Sequence, residues 1–259
     1  MKAYVQGAGV LAPGLESFHA AREILAGSRP YALAPMTAPA PEILPAVERR
    51  RAAESVRYAL SAAQEALAMS GISTRDTASV FASSGGDGHT LHQICEALAG
   101  PERAVSPTRF HNSVHNAAAG YWSIATGCRA ASSSLCAYDA SFAAGLLDAM
   151  SQLELEKQNV LLVAFDCPYP QPLYALRPLP WSFAAAFVLT PRPTSATLAC
   201  WEAALCEGSA AQPSGFPEEI TCNPAARALP LLIALAKKAA VEARLEYLPG
   251  WQVIVKCRY

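Results

Sequence analysis

Charge is scarce in this 259-residue sequence: Asp, Glu, Lys and Arg make up only 16% of it, and the formal net charge is −1. Without a basic excess there is no electrostatic case for nucleic acid or an anionic membrane as partner. No window approaches the roughly 18–20 uninterrupted apolar residues that a spanning helix needs, so no membrane span is expected. The opening MKAYVQGAGVLAPGL is interrupted by Gln6, Gly7, Gly9, Pro13 and Gly14 and is read as no signal peptide. The eight cysteines (95, 128, 136, 167, 200, 206, 222 and 257) never form a C-x-x-C pair. They are expected to be reduced thiols of a cytoplasmic protein rather than disulfides or zinc ligands. The dinucleotide, P-loop and G-x-S-x-G signatures are missing. Histidine is sparse and one-sided: His19, His89, His92, His111 and His115, with none in the rest of the chain.

What is there in abundance is apolar, 52% of the residues. The length suffices for one large domain or two small ones. So apolar a chain is expected to have part of its surface covered by another subunit.

Along the chain, 2–11 reads as a strand stopped by Ala12-Pro13-Gly14. A short helix at 17–27 has Ser17 as N-cap and Gly27 as stop. A proline-rich connector follows over 28–46. Residues 47–70 form one amphipathic helix, with Val56, Leu60, Ala63 and Leu67 inward, Arg49 to Arg51 solvated and Gly71 as stop. Strands are expected at 78–83, 159–165, 183–190 and 197–202, and SSGGDGH (83–89) is read as a backbone turn leading to a helix. Residues 207–226 read as loop, 229–240 as helix and 245–257 as a final strand or hairpin. Strands alternating with helices define an α/β class, a mixed sheet covered by helices.

The chain is organised around 111–148, HNSVHNAAAGYWSIATGCRAASSSLCAYDASFAAGLLD, where only Arg129, Asp139 and Asp148 carry charge. It reads as helix, short strand, tight turn and a buried helix of small residues, an arrangement that presents a side chain at one point in space. Two residues in it, His111 and His115, stand at i, i+4, yet no third metal ligand accompanies them. A serine from Ser132 to Ser134, with His111 or His115 and Asp166, is the material of a hydrolase triad without its elbow motif. Neither metal nor cofactor is expected.

The run Arg129-Ala130-Ala131-Ser132-Ser133-Ser134-Leu135 resembles the nucleophile turn of β-ketoacyl synthases in the thiolase-like superfamily. There a Thr-Ala-Cys triplet precedes small residues and a long buried helix. Anchoring on the serines and the leucine puts Ala131 where that family carries its cysteine. KAYVQGAGVLAPG, AGYWSIATG and NVLLVAFD are similar to the family's opening strand, its approach to the turn and its following strand. FASSGGDGH, FHNSVHNAAAGYWSIATG and DASFAAGLLDA resemble more specifically the short chain-length-factor-like homologues of aryl polyene pathways.

The resemblance implies a thiolase-like domain over 1–205 and a shortened C-terminal segment, 206–259, packing on the same core. Decarboxylative Claisen condensation needs a thiolate and two histidines, which the family supplies from its second half. Alanine forms no thioester, and all five histidines precede Ala131. The resemblance therefore implies a non-catalytic chain-length factor in a type II polyketide or aryl polyene system. It would pair with an active β-ketoacyl synthase and an acyl carrier protein, and line the acyl tunnel with Phe110, His111, Val114, His115, Ala118 and Tyr121. At helical spacing 111, 114, 115 and 118 share a face. Two alternatives stay open: a scaffold that only stabilises the ketosynthase, and an independent acyltransferase or ketosynthase using Cys128 in Thr126-Gly127-Cys128.

Overall fold

The apolar runs pair with one another in a single eight-stranded sheet, in the computed structural model that describes residues 1–210 and 215–259. In chain order the elements begin with β1 (Lys2–Leu11), α1 (Phe18–Ala26), α2 (Ala46–Arg51), α3 (Glu54–Ser70), β2 (Ala78–Ala82), α4 (Gly88–Ala99), α5 (Pro107–Asn112) and α6 (Ala117–Thr126). Then come β3 (Ser132–Leu135), a 3-10 turn (Tyr138–Ala140), α7 (Ser141–Glu156), β4 (Val160–Asp166), α8 (Leu173–Leu176), β5 (Phe183–Thr190) and β6 (Ala199–Glu207). The chain closes with α9 (Glu218–Thr221), a 3-10 turn (Pro224–Ala228), α10 (Leu229–Lys237), β7 (Val241–Glu246) and β8 (Trp251–Arg258).

The sheet order is β3-β2-β4-β5-β1-β6-β8-β7. Strands β3, β2 and β4 run parallel, and every later pairing is antiparallel. β4 and β5 are buried along their whole length, as their unbroken apolar runs require. Helices α1, α7 and α10 cover one face of the sheet and α3 and α6 the other, each with its own apolar cluster. Phe187 and Trp201, both fully buried, meet edge to face at 5.0 Å in the first of these. All eight cysteines are free thiols.

Several local signals act as expected. Ser17 caps α1 by accepting from the Ala20 amide at 3.0 Å, and Gly27 (φ 80°) and Gly71 (φ 64°) end α1 and α3. Val56, Leu60, Ala63 and Leu67 are buried. The single helix expected over 47–70, however, is broken at Ala52-Ala53, both extended. The free carbonyls at the break are taken by side chains: Arg57 Nε donates to Ala52 O at 3.0 Å and Asn112 Nδ2 to Arg51 O at 2.8 Å.

β6 runs across the expected domain boundary at 205–206, so the C-terminal segment continues the same sheet. Within 207–226, read as loop, α9 and the start of a 3-10 turn form, and residues 211–214 lie outside the described residues. The final element is a hairpin, β7–β8, that begins earlier than expected because Lys238 (φ 51°) already ends α10.

Candidate functional site

The parallel strands β3, β2 and β4 end side by side, and the carboxyl ends of parallel strands are where an open α/β sheet presents its loops. Ser83 and Ser84 follow β2, Cys136 follows β3, and Asp166 closes β4 with Cys167 and Tyr169 beyond it. Asp166 holds this end together. Its Oδ1 accepts from Ser83 Oγ at 3.0 Å, Ser84 N at 2.8 Å and Ser84 Oγ at 2.8 Å. Its Oδ2 is buried without a partner. Burial pushes the carboxyl up to about 6, against the opposing pull of the Ser84 and Ser83 bonds. The Tyr169 hydroxyl lies 3.1 Å from Ser84 Oγ, and burial raises its pKa as well.

Two further groups use the loop those serines begin. Cys136 donates its thiol to Ser84 O at 3.1 Å, and His115 donates from Nε2 to Ser83 O at 3.1 Å. Gly85 and Gly88 pack so closely on Tyr169 that a side chain at either would collide with its ring. SSGGDGH is thus a backbone turn leading into α4, as expected, and its close approach to Tyr169 is what the tertiary structure adds.

The turn from β3 into α7 is the strand-to-helix device that the sequence suggested, but its residues differ. Ser132 to Leu135 form the strand itself, paired with Ser79 to Ala82 of β2. Ala131 therefore stands ahead of β3, about 13 Å of strand away from the turn. The residues in the turn are Cys136, Ala137 and Tyr138, the last with φ 53°. Ala131 thus lies outside the strand-to-helix turn, and the cysteine that stands in that turn is Cys136. Cys128 also lies on the far side of β3, buried, with its thiol 3.4 Å from the carbonyls of Arg75 and Thr77.

The six residues expected to line a tunnel do not share one helical face, because α5 stops at Asn112 and α6 starts afresh at Ala117. Phe110, His111 and Val114 line an open cleft of about 410 Å³ with Pro107, Ala117 and Gly120. Phe110 is 69% exposed and Val114 51%. Ala118 and Tyr121 turn the other way and are buried in the cluster around α3. His111 keeps edge contact with Tyr121, ring to ring 5.5 Å, whereas His115 reaches the Ser83 carbonyl. Leu91 and Leu98 on α4 and Ile124 on α6 add to the exposed apolar side chains of this region. Among the described residues no helix is long and apolar enough to cross a membrane, and no three His, Cys, Asp or Glu side chains group as metal ligands.

The two edges of the sheet differ. β7 carries Glu242, Arg244 and Glu246, charges of the kind that protect an edge from pairing. β3 is Ser-Ser-Ser-Leu, without a charge. Ser79 N bonds Ala131 O and Ser83 N bonds Leu135 O. The alternation of the ladder then leaves the backbone groups of Ser132 and Ser134 facing outward.

This order of strands, with a strand-to-helix turn at its parallel end, is that of a ketosynthase-type domain. The family model described as "Beta-ketoacyl synthase, N-terminal domain" matches residues 26–245, and the chain belongs to that family. Among solved structures it is similar to a chain of the ketosynthase ApeO in complex with its chain length factor ApeC from Xenorhabdus doucetiae, at 21% identity and TM-score 0.76, covering 99% of either chain. It is also similar to the ishigamide ketosynthase/chain length factor, at 10% identity and TM-score 0.77, covering 100% of this chain and 99% of that one. Against a β-ketoacyl synthase from Burkholderia phymatum STM815, at 15% identity and TM-score 0.62, it covers 92% of its own length and 71% of the other's. At these identities the likeness is one of fold. No curated protein matches the sequence.

Proposed function

We propose that this chain is a chain-length-factor subunit that pairs with an active β-ketoacyl synthase and lines its acyl tunnel during carrier-protein-bound polyketide or aryl polyene synthesis in the cytoplasm. The observation that carries the reading is the uncharged open edge of β3 in a chain whose α4–α6 surface exposes Phe110, Val114, Leu91 and Ile124. An unprotected edge is a template for another strand, and exposed apolar side chains on the same molecule suit a partner that stays. Matches of nearly full length to chains of ketosynthase/chain length factor complexes support the same reading.

The non-catalytic part of the proposal rests on bases rather than on the nucleophile. A thiol is present at Cys136, but its bond goes to the Ser84 carbonyl and not to an imidazole. No histidine follows residue 115 to polarise an extender thioester. Phe110, His111 and Val114 are the wall residues retained. Ala118 and Tyr121 support them from within, and His115 positions the loop after β2.

The test is co-expression with the cognate ketosynthase and carrier protein, followed by purification and product analysis. Ser134→Pro removes an outward N–H that this chain's own ladder does not use, and it abolishes co-purification. Val114→Trp shortens the product while the complex stays intact. An unchanged product length from an intact Val114→Trp complex would instead identify a scaffold that stabilises the ketosynthase without shaping its product.

A further inference from the structure

A cleft of about 820 Å³ opens at the end of the sheet opposite Asp166, where β1 and β4 begin and β5 stops. Lys2 and Tyr4 reach it from β1, Lys157 and Asn159 from the passage between α7 and β4, and Arg192 and Thr194 from the turn after β5. That turn is fixed from behind. Gln6, 1% exposed, donates from Nε2 to Thr190 Oγ1 at 2.8 Å and to Thr197 Oγ1 at 3.0 Å, and its Oε1 accepts from Thr194 Oγ1 at 2.7 Å. Thr190 Oγ1 in turn donates to Arg192 O at 2.7 Å. A buried amide with three hydrogen bonds to one turn holds the backbone of Arg192 and Thr194 in a single arrangement.

The charges around the cleft select the ligand. Lys2, Lys157 and Arg192 line it with one carboxylate, Glu154, an excess of two positive charges. Among the described residues neither Lys157 nor Arg192 has an ion-pair partner, and Lys2 has only Glu202, at 3.9 Å, a carboxylate that Arg258 holds at 3.3 Å. Like charges on one concave surface repel, and an anion between them removes that cost. A phosphate monoester, a dianion above about pH 6, matches the excess. No glycine lines the cleft, so side chains rather than a backbone cradle would hold the phosphate. The lining also has an apolar part: Leu153 is buried, and Tyr4 and Ile72 are half-buried. Inorganic phosphate has no use for these surfaces, whereas an organic body gains by covering them.

We propose that this cleft binds a small organic phosphate monoester, its phosphate among Lys2, Lys157 and Arg192 and its body against Tyr4 and Ile72. The site is separate from the Phe110 cleft and does not depend on pairing with a ketosynthase.

Isothermal titration calorimetry of the full chain at about pH 7.5, where a phosphate monoester is a dianion, tests it with phenyl phosphate, phenyl sulfate and inorganic phosphate. Phenyl phosphate binds at least about tenfold tighter than phenyl sulfate, which has the same body and a single charge, and at least about tenfold tighter than inorganic phosphate, which has no body. Lys157→Gln and Arg192→Gln each weaken it about three- to tenfold, and Glu154→Gln, which removes the opposing charge, tightens it. Unchanged melting curves exclude misfolding of the three variants. Equal binding of phenyl sulfate overturns the dianion requirement, and equal binding of inorganic phosphate overturns the organic body. Absence of phenyl phosphate binding, or an affinity that none of the three substitutions changes, overturns the site itself.

Discussion

The thiol of Cys136 donates to the carbonyl oxygen of Ser84 at 3.1 Å, fastening the end of β3 to the loop that follows β2. A cysteine at a strand-to-helix turn is the material of acyl transfer, yet among the described residues no basic side chain is bonded to this one. A thiol without an adjacent base or a catalytic histidine is a weak acyl acceptor. Incubation of the isolated chain with an acyl-carrier thioester is expected to leave no acyl adduct on Cys136, while iodoacetamide alkylates this exposed thiol. Intact mass spectrometry reads both, and a stable acyl-Cys136 would make the chain an enzyme.

Asp166 gives the chain a pH dependence of definite sign. Burial raises its folded pKa to about 6, above the usual carboxylate value of 3.8, so the folded state holds the proton more tightly. Its contribution to stability is complete below about pH 4 and is lost as pH rises through about 6. Relative to Asp166→Asn, which has no proton to lose, the unfolding free energy of the native chain should fall by about 1 to 2 kcal/mol between pH 5 and pH 8. Urea denaturation at the two pH values measures this. A difference that stays constant would show that the carboxyl is not the titrating group.

Gly9 on β1 lies directly beneath the backbone of α3, where a side-chain carbon would overlap the carbonyl oxygen of Ala62; Gly7 stands likewise against Ala66. The obstacle is main chain, which cannot rotate aside, so Gly9→Ala is expected to cost about 3 kcal/mol, at the upper end of overpacking effects. Gly27→Ala meets no atom within 4 Å and suffers only from its φ of 80°, a cost of about 1 kcal/mol. Chemical denaturation of the two variants separates collision from backbone strain.

Ala118 and Val114 were expected to act alike, and the fold predicts that they will not. Ala118 is 2% exposed and Val114 51%. Ala118→Leu must force α6 away from α3 and should destabilise the isolated chain by about 1 to 3 kcal/mol. Val114→Trp should leave its melting temperature within about a degree, as surface changes do. Thermal melting of the two variants gives the comparison, and equal losses would mean that Val114 is buried too.

The amino-acid sequence by itself determined the elements whose signals are local. The apolar runs of β4 and β5 have no place except inside a sheet, and Ser17, Gly27 and Gly71 mark helix ends through their own side chains or lack of them. The family resemblance was legible for the same reason, being carried by contiguous stretches. Tertiary structure decided the rest. The break between α2 and α3 contains no glycine or proline; it is held partly by Asn112, 61 residues away. Ser132 to Leu135 have no pattern of a strand and become one because β2 supplies the ladder, which moves the critical turn from Ala131 to Cys136. Neither the open edge of β3 nor the cleft at Arg192 is written in any one segment. Both arise where distant strands end beside each other, and hydrogen bonds across such distances leave no trace in local composition.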